Sequence, residues 1–252
     1  MRAGLAAMTV LLLLLTGCGA ADTGSEQRTL TVFAAASLVD VFAELERRFE
    51  AANPGVDVVV NTAGSSELAQ QIVNGARADV FAAASESTMT TVVDAGMVAD
   101  GPAIFASNTL QIAVAPGNPR GVTGLADLTR DDLAVVICAP QVPCGAAAER
   151  VEQLTGVTLR PVSEESDVRS ALARVVTGNA DAALVYTTDV RAAAGTVDGV
   201  ALAPAEQDVA ATRYPIAVLA SAPEPKLAAR FRDLVTGEIG REVLTAAGFG
   251  VP

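Results

Sequence analysis

Short apolar runs alternate with amphipathic stretches from residue 30 onward, and that alternation is what most restricts the fold. Residues 30–34 (LTVFA) suit a strand, and Ser37 then opens a helix with Leu38, Val41, Phe42, Leu45 and Phe49 at helical spacing. Asn53-Pro54-Gly55 stops it before a strand at 56–60. Thr62-Ala63-Gly64-Ser65-Ser66 turns into a helix carrying Leu68, Ile72 and Val73, and Asn74-Gly75 ends that helix. A strand at 79–82 and a helix over about 86–95, closed by Gly96, complete a βαβαβα run. Such a run specifies an α/β class with a parallel sheet covered on both faces.

The second half repeats the theme. Strands are expected at 109–115 and 133–137, and a helix at 145–154. Ser166-Asp167 caps a helix bearing Val168, Leu172, Val175 and Val176, and a strand follows at 182–186. After an irregular stretch come a strand at 214–220 and two helices with Leu227, Phe231, Leu234, Val235, Ile239, Val243 and Leu244. No low-complexity linker divides the halves, which favours two lobes sharing crossover strands. The first lobe is placed at 29–112 with 213–252 returning to it, the second at 113–212, and the hinge at 111–115 and 208–214. Open α/β lobes bind ligands beyond the carboxyl ends of their strands, so two facing lobes leave a cleft between them.

The residue inventory removes most enzyme chemistries. There is no histidine, hence no Ser-His or Cys-His pair and no imidazole base or metal ligand. Three cysteines are one short of an all-thiolate tetrahedral site. With 29 acidic against 17 basic side chains, a net charge of −12 argues against nucleic acid as a partner. Acidic pairs such as Glu164-Glu165 are expected to be solvated.

The N-terminus points to export. Arg2 precedes an apolar run over 5–15, too short to span a bilayer. The run ends at Leu15-Thr16-Gly17-Cys18, which resembles the lipobox of bacterial lipoproteins. That resemblance implies a signal peptide at 1–17, lipidation of Cys18, and a flexible tether at 18–28 holding an extracytoplasmic body at the membrane. Outside the cytoplasm disulfides persist, so Cys138 and Cys144, flanking Ala-Pro-Gln-Val-Pro, are either a bridge or two buried thiols.

Four strand-to-helix junctions place small or hydroxyl residues where a helix begins: 35–37, 64–66, 142–145 and 166–168. A helix N-terminus presents unpaired N–H groups and about half a positive charge, which suits an anion. Each junction alone is equally well explained as an ordinary helix cap. Two per lobe, facing one cleft, suggest an anion site, with four ordinary caps as the alternative.

The stretches LTVFAAASL (30–38), AGSSELAQQIVNGARADVFAAAS (63–85), VPCGAAAERV (142–151), SDVRSALARVVTGNADAALVYTTD (166–189) and YPIAVL (214–219) resemble the molybdate-binding proteins of ABC importers. The resemblance implies a type II periplasmic-binding-protein fold, acting as a monomer, that closes on molybdate or tungstate and delivers it to an ABC permease. It implies no cofactor, no catalysis and no direct metal-ion ligands. The implied donors are the hydroxyls of Ser37 and Ser65, the backbone N–H groups of Cys144 and Val168, and the Tyr186 hydroxyl, with Ala36 and Ser66 secondary. Cys144 departs from the alanine usual there, which leaves the N–H donor in place. A cage of donors alone rejects a protonated anion such as phosphate, whose proton has no acceptor.

Two other readings compete. Sulfate or thiosulfate has the same shape, and only cavity size excludes it; a carboxylate would want an arginine fork, and no arginine lies in the four junctions. Arg169, next to Val168, is expected to face solvent or the other lobe. An enzyme with Ser37 or Ser65 as nucleophile lacks a base, since Lys226 lies in the C-terminal helical region.

Overall fold

The computed structural model describes residues 28–252. The leader at 1–17, Cys18 and nearly all of the 18–28 tether lie outside the described residues. The chain begins with β1 (Arg28–Ala35), a 3-10 turn (Ala36–Leu38), α1 (Val39–Ala52), β2 (Val56–Ala63), α2 (Ser65–Val73), β3 (Val80–Ala82), α3 (Glu86–Asp94) and β4 (Ala103–Asn108). It continues through β5 (Leu110–Val114), β6 (Val135–Cys138), α4 (Pro143–Thr155), β7 (Ser163–Glu165), α5 (Val168–Val176) and β8 (Ala182–Tyr186). Then come α6 (Thr187–Ala192), β9 (Asp198–Ala201), α7 (Pro204–Ala210), β10 (Thr212–Val218), α8 (Pro225–Thr236) and α9 (Glu238–Ala247).

These strands form two five-stranded sheets, ordered β2-β1-β3-β10-β4 and β7-β6-β8-β5-β9. Both are mixed, where the alternation alone suggested parallel sheets. In the first, β1 runs parallel to β2 and β3, but β10 is antiparallel to β3 and β4. In the second, β5 is antiparallel to β8 and β9. The antiparallel members are the strands that border the crossings between sheets, so they enter from the opposite end. The crossings are Thr109, between β4 and β5, and Ala211, between α7 and β10. A boundary at 112/113 falls inside β5, all of which pairs in the second sheet. The sequence reading also passed over β4, β7, β9, α6 and α7, which are short or carry little apolar periodicity. Glu165 differs from its expected solvated state: it accepts from Ser163 Oγ at 2.6 Å and Arg174 Nε at 2.8 Å.

The two lobes are packed by different means. Phe42, Phe49, Phe105, Tyr214, Phe231 and Phe249 form an edge-to-face cluster under the first sheet, with centroids 5.2–6.3 Å apart. The cluster binds α8 and the chain's last residues to the first lobe. Aliphatic side chains such as Leu110, Ile112, Val135, Leu172 and Val175 fill the second lobe, where Tyr186 is the one aromatic ring of the buried cluster. Cys138 and Cys144 form a disulfide, with Cα atoms 5.6 Å apart, tying the end of β6 to the first turn of α4. Among the described residues no helix is long and apolar enough to cross a membrane.

Phe231 is fully buried and contacts both Phe42 and Phe49. Phe231→Ala is expected to cost about 3–5 kcal/mol of unfolding free energy in urea denaturation. A loss below about 1 kcal/mol would mean that the cluster collapses onto the gap.

Candidate functional site: an anion cleft between the lobes

A small cavity lies where the lobes meet, with about 20 Å³ open to the centre of a water-sized sphere. That suits a compact ion better than a bulky organic molecule. Its wall contains Ala35, Ala36, Ser37, Gly64, Ser65 and Ala84 from the first lobe. The second lobe supplies Val142, Pro143, Cys144, Ser166, Asp167, Val168 and Tyr186. All five principal residues singled out from the sequence, and Ala36, are thus brought together. Ser66 is not among them; its hydroxyl donates to Gln141 O across the cleft at 2.8 Å.

Each segment arrives with a donor to spare. In α5 the Asp167 carboxylate caps the helix, accepting from Arg169 N at 2.8 Å and Ser170 N at 3.0 Å. Val168 N–H, one residue earlier, has no intrahelical acceptor because it lies in the first turn. In α4 Pro143 occupies the first position and spends no N–H, and Cys144 follows it. In α2 the cap is Gly64, which offers no side chain to its helix. A Cβ on Gly64 would meet Ser166 O at 2.5 Å, so the lobes approach here as closely as backbone allows. Ser65 Oγ accepts from Ala84 N at 3.0 Å, which leaves its own proton free to be donated elsewhere.

Tyr186 carries the most telling detail. It is 1% exposed, and its hydroxyl has no hydrogen-bond partner in the protein. A buried hydroxyl without a partner costs roughly 1–3 kcal/mol. Burial, with the neighbouring Tyr214 and Asp189, holds its pKa well above the usual phenol value, so it is a donor at any physiological pH. The donor set is neutral: no arginine or lysine side chain lines the cavity. No cluster of three or more His, Cys, Asp or Glu side chains suited to a metal ion occurs among the described residues.

Residues 30–250 match the bacterial extracellular solute-binding proteins. The chain belongs to that family. It is 47% identical over 225 residues to the molybdate-binding protein ModA of Mycobacterium tuberculosis, covering 89% of this chain and 85% of that one. ModA of Escherichia coli is 32% identical over 237 residues, covering 90% and 91%. In fold, the chain is similar to the periplasmic molybdate-binding protein of Azotobacter vinelandii, with TM-score 0.75, 22% identity, and coverage of 88% and 99%. Two α/β lobes around a cleft are therefore the architecture of a solute-binding protein.

Two residues that back the cavity wall of this solute-binding protein, without lining it, escaped the sequence reading. Tyr214 on β10 is fully buried, and its hydroxyl lies 3.1 Å from Ser37 Oγ. When Tyr214 donates, the Ser37 proton is turned away from it. Burial pushes the Tyr214 pKa up, with its hydrogen bond to Ser37 opposing, so it keeps its proton. Nothing local marked it, since it reads as one more apolar strand residue. The other is Asp189, buried at the start of α6, where it accepts from Tyr186 N at 3.3 Å.

Burial pushes the Asp189 carboxyl up to about 7, with the Arg169 guanidinium opposing. The folded protein therefore keeps a proton that the unfolded chain releases near pH 4. The stability this group contributes is complete below that unfolded value and is lost as pH rises through about 7. Asp189→Asn is expected to flatten the dependence of melting temperature on pH between about 5 and 8. An unchanged slope would show that Asp189 is ionised throughout.

Proposed function

We propose that the protein is an extracytoplasmic receptor that captures molybdate or tungstate and passes it to an ABC permease. The observation that carries this reading is the buried, unpartnered Tyr186 hydroxyl in a cavity walled by Ser37, Ser65 and the first turns of three helices. The anion would accept from the hydroxyls of Ser37, Ser65 and Tyr186 and from the N–H groups of Cys144 and Val168. Hydrogen bonds to an ionised acceptor are about twice as strong as neutral ones, so a cluster of them replaces the hydration a dianion loses. The names of the relatives from M. tuberculosis and E. coli support molybdate as the cargo.

Lipidation of Cys18 would hold a monomer at the outer membrane face, within reach of its permease. The 29–112, 113–212 and 213–252 division is kept with its crossings moved to Thr109 and Ala211, which would serve as the hinge. An enzymatic role for Ser37 or Ser65 has no support in their surroundings: each hydroxyl is held by a neutral partner, Tyr214 Oη or Ala84 N, and neither partner is a base.

Sulfate is the serious competitor. The sulfate-binding protein SubI of M. tuberculosis shares the fold at TM-score 0.75 and 20% identity, so fold alone does not choose between the ions. Calorimetric titration of the protein lacking 1–18 is expected to give one-to-one binding of molybdate and tungstate, with no heat from sulfate or phosphate. Tyr186→Phe should weaken molybdate by roughly 10- to 100-fold, the worth of one hydrogen bond to a charged group. Sulfate binding as tight as molybdate would make this a general oxyanion receptor. Silence from all four ions in folded protein would overturn the assignment.

A further inference from the structure

Of the ion pairs among the described residues, one joins the two lobes. Arg169, on α5 of the second lobe, meets Asp40 on α1 of the first through Nη2 and Oδ2. Its Nε lies 3.1 Å from Asp189 Oδ1, whose side chain is wholly buried, at ion-pair distance though not aligned as a hydrogen bond, so the guanidinium rests against its own lobe and reaches out from there. Asp40 is 63% exposed at its side chain and held by nothing else among the hydrogen bonds of the fold.

The positions of these three charges matter more than their number. Arg169 directly follows Val168, Asp189 comes three residues after Tyr186, and Asp40 comes three residues after Ser37. One guanidinium therefore ties together the three segments that carry three of the five proposed donors. Arg169 also walls both grooves beside the cavity, one shared with Ser37 and Asp40 and the other with Ala36 and Asp167. A free arginine there would serve as an attractor for incoming anions. This one already lies against Asp40 and Asp189, which leaves it little to offer an incoming anion and points to a mechanical role.

We propose that Asp40–Arg169–Asp189 is a clasp that holds the lobes closed over the bound anion and sets how fast it is released. Arg169 and Asp40 are positioning residues in this account, and the proposal rests on the cleft being the oxyanion site. Opening breaks the Asp40 contact and leaves the Asp189 contact intact. Association, which begins from the open form, senses the clasp only through the share of ligand-free protein already closed; dissociation, which must pass through opening, senses it in full.

Asp40→Ala is the deciding variant, because Arg169→Ala removes the cation that lies against the buried Asp189 and endangers folding. Release of radiolabelled molybdate into excess unlabelled ion is expected to be about two- to fivefold faster in Asp40→Ala at low salt, the reach of a partly exposed ion pair. Binding rates should change less than release rates. They can be followed by tyrosine emission, since the chain has two tyrosines and no tryptophan and the two are Tyr186 and Tyr214. The melting temperature without ligand should not move, as it would for a purely structural pair. Raising the salt should speed release from the native protein and leave Asp40→Ala unchanged, since screening reaches a partly exposed pair.

Equal release rates at low salt, or a change confined to the binding rate, would overturn the clasp while leaving the receptor reading intact. If the native protein takes up no molybdate at all, the receptor reading fails instead. The clasp is then decided by small-angle X-ray scattering of the ligand-free proteins. A larger radius of gyration for Asp40→Ala than for the native chain supports it, and identical values overturn it.

Discussion

A phenol buried without an acceptor is expensive, and Tyr186 is held in that state by everything around it. It ends β8 in the middle of the second sheet, its ring stacks edge-on against Tyr214 at 6.1 Å, and its backbone N–H is fixed by Asp189. The same cleft gathers the first turns of α2, α4 and α5, each with N–H groups its own helix has no use for. Surplus donors from two separately packed lobes converge on a cavity of about 20 Å³. Under the proposed function, a tetrahedral dianion completes them all at once, and its binding supplies the adhesion that a small polar seam between lobes lacks.

The electrostatics are consistent with this despite the net charge of −12. Surface carboxylates act across solvent and are screened within about 8 Å at physiological salt, while N–H and O–H dipoles act at contact. Asp167, the one acid in the cavity wall, has both oxygens turned to its own helix: Oδ1 to the N–H groups of Arg169 and Ser170, Oδ2 to the Ser170 hydroxyl. The charge nearest the site is thus spent on capping, and no cation is needed to offset it. A donor set without formal charge also discriminates by protonation state, since it has nothing to offer a bound proton.

The four junctions could be read from the chain because their signals are local, while the donor roles, that of Tyr186 among them, came from the family resemblance. Helix-start signals at 37, 65, 143 and 167 depend on a few adjacent residues, and strand–turn–helix order carries those junctions to one end of each sheet. What could not be read depends on distant pairing. β4 and β10 are joined across about a hundred residues of sequence, so the antiparallel strands and the exact crossings followed from no local pattern. Tyr214 orients Ser37 from 177 residues away. Ser66 shares every sequence property of Ser65, yet one helical step turns its hydroxyl to Gln141 and out of the cavity.

Whether these five donors hold one oxyanion is tested most directly by anomalous diffraction at the molybdenum edge from crystals grown with molybdate. The account predicts a single strong peak in the interlobe cavity. It should be surrounded by oxygens within hydrogen-bond reach of Ser37, Ser65 and Tyr186 hydroxyls and of the Cys144 and Val168 N–H groups. A peak in the grooves beside Arg169, or none anywhere in protein that remains folded, would contradict it.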